Sequence, residues 1–463
     1  MQDDWTGFER KVLHVLQNPA GTAGSVFLLS FLQKKGLLWR WIEDVERLPL
    51  DVSVKIAEFA LLFDRDFDMR LADRLDQRAT DGAVRLRLVE LIERTSRGNR
   101  AIERIKNLAD DPDKRVRSKV VRLLGRISEE AAEARRKLND PDPRVRAAAV
   151  EALWGHAAEH GRPVFLSALK DPNHRVRGNA IAGLYQLDDT ACLPALRALL
   201  DDADEIVRRA GVWAIEHTRD VRYLSLVAKM LASATPEGRS RCLRAMHAAR
   251  ARKAEAAAAG HFDIQVGLLS RGADGWVTVP VRCEKDGQAV EGIAALDFAI
   301  LEDSRALDSY HVEAVAPSPL LALEYPPAGT LYASFHDGLD SATPPGRVLI
   351  LTSGAHEEDW PGIAGLAGRL VAERVKVDAV VAGAGPSQQR LKVLAEIAGG
   401  RFWGLSTLDE AKAVSAQLRG SYEANYQIRY QGPGGVLKVE VFGAKGVGEM
   451  VGAQGLEPRT SCV

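Results

Sequence analysis

The chain has 463 residues, 46% of them hydrophobic and 27% charged, with a net charge of −1. That length exceeds one ordinary core, so two or three domains are expected, and the composition excludes a disordered or collagen-like chain. The near-neutral total hides an asymmetry: residues 1–260 hold 45 Lys and Arg against 38 Asp and Glu, and the remainder 17 against 25.

The opening MQDDWTGFERK is acidic where a secretory leader would be basic. The apolar run SVFLLSFL is too short to span a bilayer and leads into Lys34 and Lys35. Cys192, Cys242, Cys283 and Cys462 form no CxxC pair, so neither a zinc site nor a disulfide framework is expected. A cytoplasmic protein is the expectation.

From residue 50 the chain repeats itself. Val116, Val145, Val176 and Val207 follow one another at 29, 31 and 31 residues, each inside a stretch of the type DPDPRVRAAAVEAL. Val84 and Val52 extend the series backward at 32 residues, and Gly238 extends it forward at 31, which makes seven units. After Val116, apolar residues return at Val120, Val121, Leu124 and Ile127, a helical period. A second short apolar stretch, such as AIERIKNLAD or CLPALRALLDD, precedes the next Asp. Each unit therefore reads as two antiparallel helices, and units stack because one pair cannot bury its own apolar face.

The Asp-Pro steps at Asp111, Asp140 and Asp171 predict an N-cap carboxylate followed by proline at the first helical position. Arg85, Arg117, Arg146, Arg177, Arg208 and Arg239 recur one place after the aligned residue. They are expected to pair with capping aspartates across the repeat junctions, and the alternative is a ladder for a ligand. These residues resemble HEAT repeats of the short, phycobilisome-lyase-like bacterial class, with the pattern DPxxxVRxxAxxAL, over about residues 50–250. The resemblance implies an α-solenoid that acts as a binding scaffold. That class includes bilin lyases and DNA glycosylases, but no catalytic motif of either stands in this chain.

A second column lies ten residues before each aligned position: Arg74, Lys106, Arg135, Leu166, Arg197 and Ala228, with Arg136 and Lys229 one place on. It reads either as a solvated helix face or as a broken basic stripe for an acidic partner, a phosphate backbone, or the acidic second half of the same chain. No aromatic residue interleaves with it, which weakens the nucleic-acid version. His156, His160 and His174 match no HExxH spacing.

AEAAAAGHF (residues 254–262) is a helical or linker-like bridge, after which the period switches to two. IQVGLL, WVTVPVRCE and DFAILED predict short strands, with turns at Asp274-Gly275 and Asp286-Gly287. From residue 329, helical and strand patterns alternate: GTLYASFHDGLDSA, RVLILTSG, GIAGLAGRLVAERV, VDAVVAGAG, QQRLKVLAEIAGG, RFWGLS and LDEAKAVSAQLRGSY. Continuous apolar strands between amphipathic helices mean a parallel sheet covered on both faces. The string GAGPSQQ lacks the lysine of a phosphate loop, and the tail QGPGGVLKVEVFGAKGVGEMVG suggests a hairpin.

The stretch AGTLYASFHDGLD, GRVLILTSG, VKVDAVVAGAG, LKVLAEIAGGRFWGLSTLDEA and SYEANYQIRYQ is similar to the later part of a von Willebrand factor A domain. That resemblance implies an α/β, Rossmann-like domain with a divalent cation held by a DxSxS loop, a Thr and an Asp. Here Thr330 stands at the Thr position, Ser353 replaces the Asp, and no DxSxS lies between Val315 and Pro326, where there is also no room for the usual first strand and helix. Thr330 is the one retained metal-site-like residue and is expected to cap a helix, so no metal and no cofactor are expected.

The expected organisation is a solenoid at 1–253, a linker at 254–261, a β-rich segment at 262–315, a truncated A-like domain at 316–445 and a tail at 446–463. The expected function is a non-catalytic scaffold that binds partner proteins, without catalytic residues and without a membrane partner. Arg74, Lys106, Arg135, Arg136, Arg197 and Lys229 are the candidate partner-binding residues. The alternatives are a nucleic-acid-binding solenoid with a basic groove, or an enzyme with a site in that groove. The opposite charges of the halves further suggest weak, salt-sensitive docking of one on the other through the basic column.

Overall fold

The computed structural model describes residues 50–61, 66–75, 81–95, 100–127, 131–317, 319–325, 345–353, 360–383, 386–433, 436–442 and 448–451, with residues 30, 31, 33, 34, 337, 339 and 340. It divides into two compact units, residues 1–187 and 188–463.

In the first unit the helices come in the expected pairs. They are α1 (Leu50–Ala60), α2 (Phe67–Leu75), α3 (Gly82–Thr95), α4 (Arg100–Arg104), α5 (Lys114–Ile127), α6 (Ala132–Arg136), α7 (Pro143–Glu151), α8 (Ala158–Ala168) and α9 (His174–Gln186). The aligned Val116, Val145 and Val176 are all buried, as are Val120, Val121 and Leu124. Helix α5 packs against α3 and α7, and α7 packs against α9, so the first helices of successive repeats lie side by side. Gly125 on α5 permits that approach: a Cβ there would meet the Ala152 carbonyl oxygen at 2.6 Å.

The helix starts differ from expectation by two residues. The Asp142 side chain, not that of Asp140, accepts from the Arg144 amide at the start of α7. Asn173 does the same for Arg175 at α9, and Asp113 for Arg115 at α5. Asp111, Asp140 and Asp171 sit one turn outside, where each accepts from the amide two residues on, at 2.8, 3.0 and 2.8 Å. This Asx turn leaves the outer carboxylate oxygens available for the arginines.

The second unit opens with helices α10 (Cys192–Leu200), α11 (Glu205–Thr218), α12 (Leu224–Ser233) and α13 (Pro236–Ala259). The expected linker at 254–261 is instead largely the end of α13, which buries Ala256 and stops at Gly260 with φ 126°. Glycine alone adopts that angle without strain.

Beyond it are β1 (Asp263–Val266), β2 (Ser270–Arg271), β3 (Trp276–Lys285), β4 (Gln288–Ala289), β5 (Phe298–Glu302), β6 (Arg305–Ala306), β7 (Tyr310–Ala314), β8 (Leu320–Tyr325) and β9 (Arg347–Thr352). Then follow α14 (Trp360–Ala372), β10 (Lys376–Ala382), α15 (Pro386–Ile397), β11 (Phe402–Leu405), α16 (Leu408–Tyr422), β12 (Tyr426–Gln431), β13 (Leu437–Val441) and β14 (Gly448–Val451). Two-residue turns close β3–β4 at Asp286-Gly287 and β5–β6 at Asp303-Ser304, all four residues at positive φ.

The parallel sheet runs β11-β10-β9-β8. Its two faces are both covered, as the continuous apolar strands require. Val348, Ile350, Val377, Ala379 and Val381 pack with Leu370 of α14 and with Leu391 and Leu394 of α15. Leu349, Leu351, Val380 and Trp403 pack with Ala411, Val414 and Leu418 of α16.

Two expectations need correction here. A first strand does exist: β8 pairs in parallel with β9 from Leu320↔Arg347 to Tyr325↔Thr352. And the strand Tyr426–Gln431, expected within the A-like domain, leaves the parallel sheet. It pairs antiparallel with β3 and β7 in the sheet β1-β3-β12-β7, while β13 joins β5 in the sheet β14-β13-β5-β6. The α/β segment is therefore an insertion within an antiparallel β module. Alternation explains the choice: Tyr426, Ile428 and Tyr430 are buried while Arg429 and Gln431 are exposed, the pattern of a strand with one wet face.

Candidate partner-binding surface

The arginines one place after each aligned valine are structural. Arg85 Nε and Nη2 donate to the two Asp111 oxygens at 2.7 and 3.0 Å. Arg117 donates to Asp140 at 3.2 and 3.1 Å, and Arg146 to Asp171 at 2.8 and 3.1 Å. Arg117 and Arg146 also reach back with Nη1 to the Asp and Pro carbonyls of their own repeats, as Arg146 does to Asp140 and Pro141 at 3.0 and 3.2 Å. Arg177 makes the same contacts to Asp171 and Pro172, and Arg208 makes the equivalent ones to Asp202 and Ala203. A planar, forked guanidinium holds five donors in a fixed spread, so it can grip a carboxylate with one edge and two carbonyls with the other nitrogen. The hydrogen bonds to Asp111 and Asp171 hold the Arg85 and Arg146 guanidinium groups above their ordinary pKa.

The basic column is far less bare than its spacing suggests. Lys106 lies 3.8 Å from Glu133. Arg136 pairs with Asp110 at 2.7 Å and with Glu133 at 2.8 Å, and Lys137 adds a 2.6 Å contact to Asp110. Hydrogen bonds from Arg136 and Lys137 hold the Asp110 carboxyl well below the usual carboxylate range. Arg135 Nη2 donates to the His160 carbonyl at 3.4 Å. Arg197 is locked to Asp201 at 2.6 Å. Arg74 is half-buried on α2, and Lys229 is exposed on α12. Thr330 lies outside the described residues, while Ser353 follows the end of β9 and is exposed. No cluster of three or more His, Cys, Asp or Glu suited to a metal is present among the described residues, and none of their helices is long and apolar enough to cross a membrane.

The most extensive buried polar cluster among the described residues lies away from the aligned valines and the arginines that follow them. In the second unit, Arg222 and Asp220 face each other with side chains only 2% and 0% exposed. The guanidinium also donates to the Tyr310 hydroxyl at 2.6 Å, the Phe298 carbonyl at 3.0 Å and the Leu296 carbonyl at 3.1 Å. Asp188 accepts from the Ala295 and Leu296 amides at 2.6 and 2.7 Å. Thr190 donates to the Tyr310 carbonyl at 3.0 Å, and Tyr223 donates to Asp308 at 2.8 Å. Arg252 pairs with Asp297. Burial raises the Tyr310 and Tyr223 hydroxyls and the Asp297 and Asp308 carboxyls above their ordinary values.

These contacts bind the helices of residues 188–259 to the β module. They form a buried junction that salt screens little. The signal available in the sequence was an intra-repeat turn aspartate recurring at 31 residues. Asp189 and Asp220 each cap the amide two residues on, at 3.0 and 2.8 Å.

Residues 70–154, 133–216 and 162–247 match the family of HEAT repeats. No curated protein matches the chain in sequence. Among solved structures, the E. coli protein YibA is similar at 18% identity with a TM-score of 0.31, over 51% of this chain and 92% of that one. The complex of CpcE and CpcF of phycocyanin lyase from Nostoc is similar at 16% identity and a TM-score of 0.30, over 44% and 89%. Human deoxyhypusine hydroxylase is similar at 15% identity and a TM-score of 0.24, over 52% and 96%. The N-terminal half of the chain is a HEAT-like helical solenoid, and a strand-rich region containing a parallel sheet follows it.

Proposed function

We propose that this chain is a non-catalytic scaffold that binds partner proteins through its HEAT-like repeats. The observation that carries the reading is the fate of the repeated charged residues. Arg85, Arg117 and Arg146 use the repeat carboxylates to lock one repeat onto the next, so the repetition builds surface rather than a reaction centre. The inserted α/β segment reads as a metal-free von Willebrand A-like module in the same role. Its support is the parallel sheet covered on both faces and Ser353 at the strand end where that family places an Asp. The column Arg74, Lys106, Arg135, Arg136, Arg197 and Lys229 remains a candidate contact region, and a cytoplasmic location is part of the reading.

Affinity purification of the full chain from its host, with and without nuclease, tests this. The expected result is a reproducible protein partner whose recovery survives nuclease and whose purified form binds the purified chain. Nuclease-sensitive recovery, or turnover of a small molecule by the purified chain, would refute it.

A further inference from the structure

The three turns that open α5, α7 and α9 read DPDKR, DPDPR and DPNHR, and their charges do not cancel. Asp111, Asp140 and Asp171 are consumed by the ladder arginines. Asp113 caps the Arg115 amide and holds the Arg115 guanidinium at 2.7 Å, which lowers its carboxyl to about 2. Asp142 caps the Arg144 amide and holds Lys114 at 3.0 Å. Asp110 is taken by Arg136 and Lys137. Every carboxylate of the three turns is committed.

The cations outnumber them. Arg115, Arg144 and Arg175 occupy the same position, the residue before each aligned valine, and all are exposed. Arg144 and Arg175 make no ion pair among the described residues, and Lys170, exposed just before the third turn, makes none either. The row is bounded by Ala83 one repeat earlier and Ile206 one repeat later.

We propose that this turn edge, carrying Arg115, Arg144 and Arg175, docks an extended acidic segment of a partner protein. The inference rests on the scaffold reading and names the surface and the partner chemistry. Helices α5, α7 and α9 lie side by side, which sets successive arginines about 8–10 Å apart. A peptide in the polyproline II conformation rises about 3.1 Å per residue and turns once every three residues, so carboxylates at every third position share one face about 9 Å apart and meet each arginine in turn. A nucleic-acid strand fits worse. It carries a phosphate on every nucleotide, which would also face Asp113 and Asp142, and the three turns hold no Phe, Tyr or Trp on which bases could stack.

The probe is a fluorescein-labelled peptide of about twelve residues with Glu at every third position, titrated with the full chain and read by anisotropy at low and physiological salt. The paired variant Arg144→Glu with Arg175→Glu should weaken binding about tenfold, since it removes two of the three cations that meet the peptide and puts a like charge in place of each. Circular dichroism should show its helices unchanged, because both side chains are exposed. Wild-type affinity in that variant overturns the inference, as does tighter binding of a single-stranded oligonucleotide of equal length. Loss of binding in Lys106→Glu with Lys229→Glu, but not in the arginine pair, also overturns it while leaving the scaffold reading intact through the other column. No binding of the peptide by the wild type at low salt overturns it too, and the scaffold reading is then judged by the purification alone.

Discussion

Arg222→Ala probes the junction that makes the last repeats and the β module one unit. The substitution removes a guanidinium that is 2% exposed and leaves Asp220, at 0% exposure, with a buried charge and no countercharge. It also strips a donor from the Phe298 and Leu296 carbonyls, though Tyr310 still donates to Phe298 at 2.6 Å. Breaking a buried pair by deleting one partner costs about 3–5 kcal/mol, most of it the desolvated charge left behind. The lost carbonyl bond to Leu296 adds about 1 kcal/mol.

Replacing both partners by apolar residues, Asp220→Leu with Arg222→Met, should recover most of the loss, because no charge is then stranded. Urea unfolding of the full chain, followed by hydrogen exchange at residues 263–314, measures both variants and the single changes Asp220→Leu and Arg222→Met. The single change should lower protection across these strands by about 4 kcal/mol, and the double change should lie well above the sum of the two single changes. A loss under about 1 kcal/mol for Arg222→Ala, or simple additivity in the double variant, would refute the assignment of Arg222 as the centre of the junction.

Arg146→Lys should cost about 1–2 kcal/mol in the first unit although charge is kept, because an ammonium cannot bind Asp171, Asp140 and Pro141 together; thermal unfolding checks this, with Arg144→Lys as the neutral control. Gly125→Ala should destabilise the same unit by about 1–3 kcal/mol by overpacking against Ala152, seen as a lowered Tm. For Asp308, burial raises the folded-state pKa above that of the unfolded chain, so its ionised form costs stability at neutral pH and the cost is relieved as pH falls through the folded value. Asp308→Asn should therefore gain more stability over the wild type at pH 7 than at about pH 4, and an equal difference at both pH values would contradict this. On the proposed von Willebrand A-like reading, calorimetric titration with Mg²⁺ or Mn²⁺ is expected to give no binding, since Ser353 then stands where such a site needs a carboxylate; micromolar affinity lost on Thr330→Ala would overturn that.

Much of this protein is legible in its sequence because its determinants are local and repeated. The 29–31-residue spacing of Val116, Val145, Val176 and Val207 announces helix pairs, and the pairing of Arg85, Arg117 and Arg146 with a neighbouring aspartate follows from one repeat stacking on the next. The strands and helices from Arg347 to Tyr422 are likewise set by apolar runs of the right period. What the sequence could not decide was register at the level of two residues, and partnership over long separations. The caps shifted from Asp140 to Asp142 because the ladder arginine competes for the first carboxylate. Tyr426–Gln431 looks like any alternating strand; only tertiary contact with β3 and β7 assigns it to the antiparallel sheet. Arg222 and Tyr310 are 88 residues apart, and nothing in either neighbourhood marks them as partners. Pairing over such distances depends on which surfaces the finished helices and sheets present to each other, and no spacing or period along the chain encodes it.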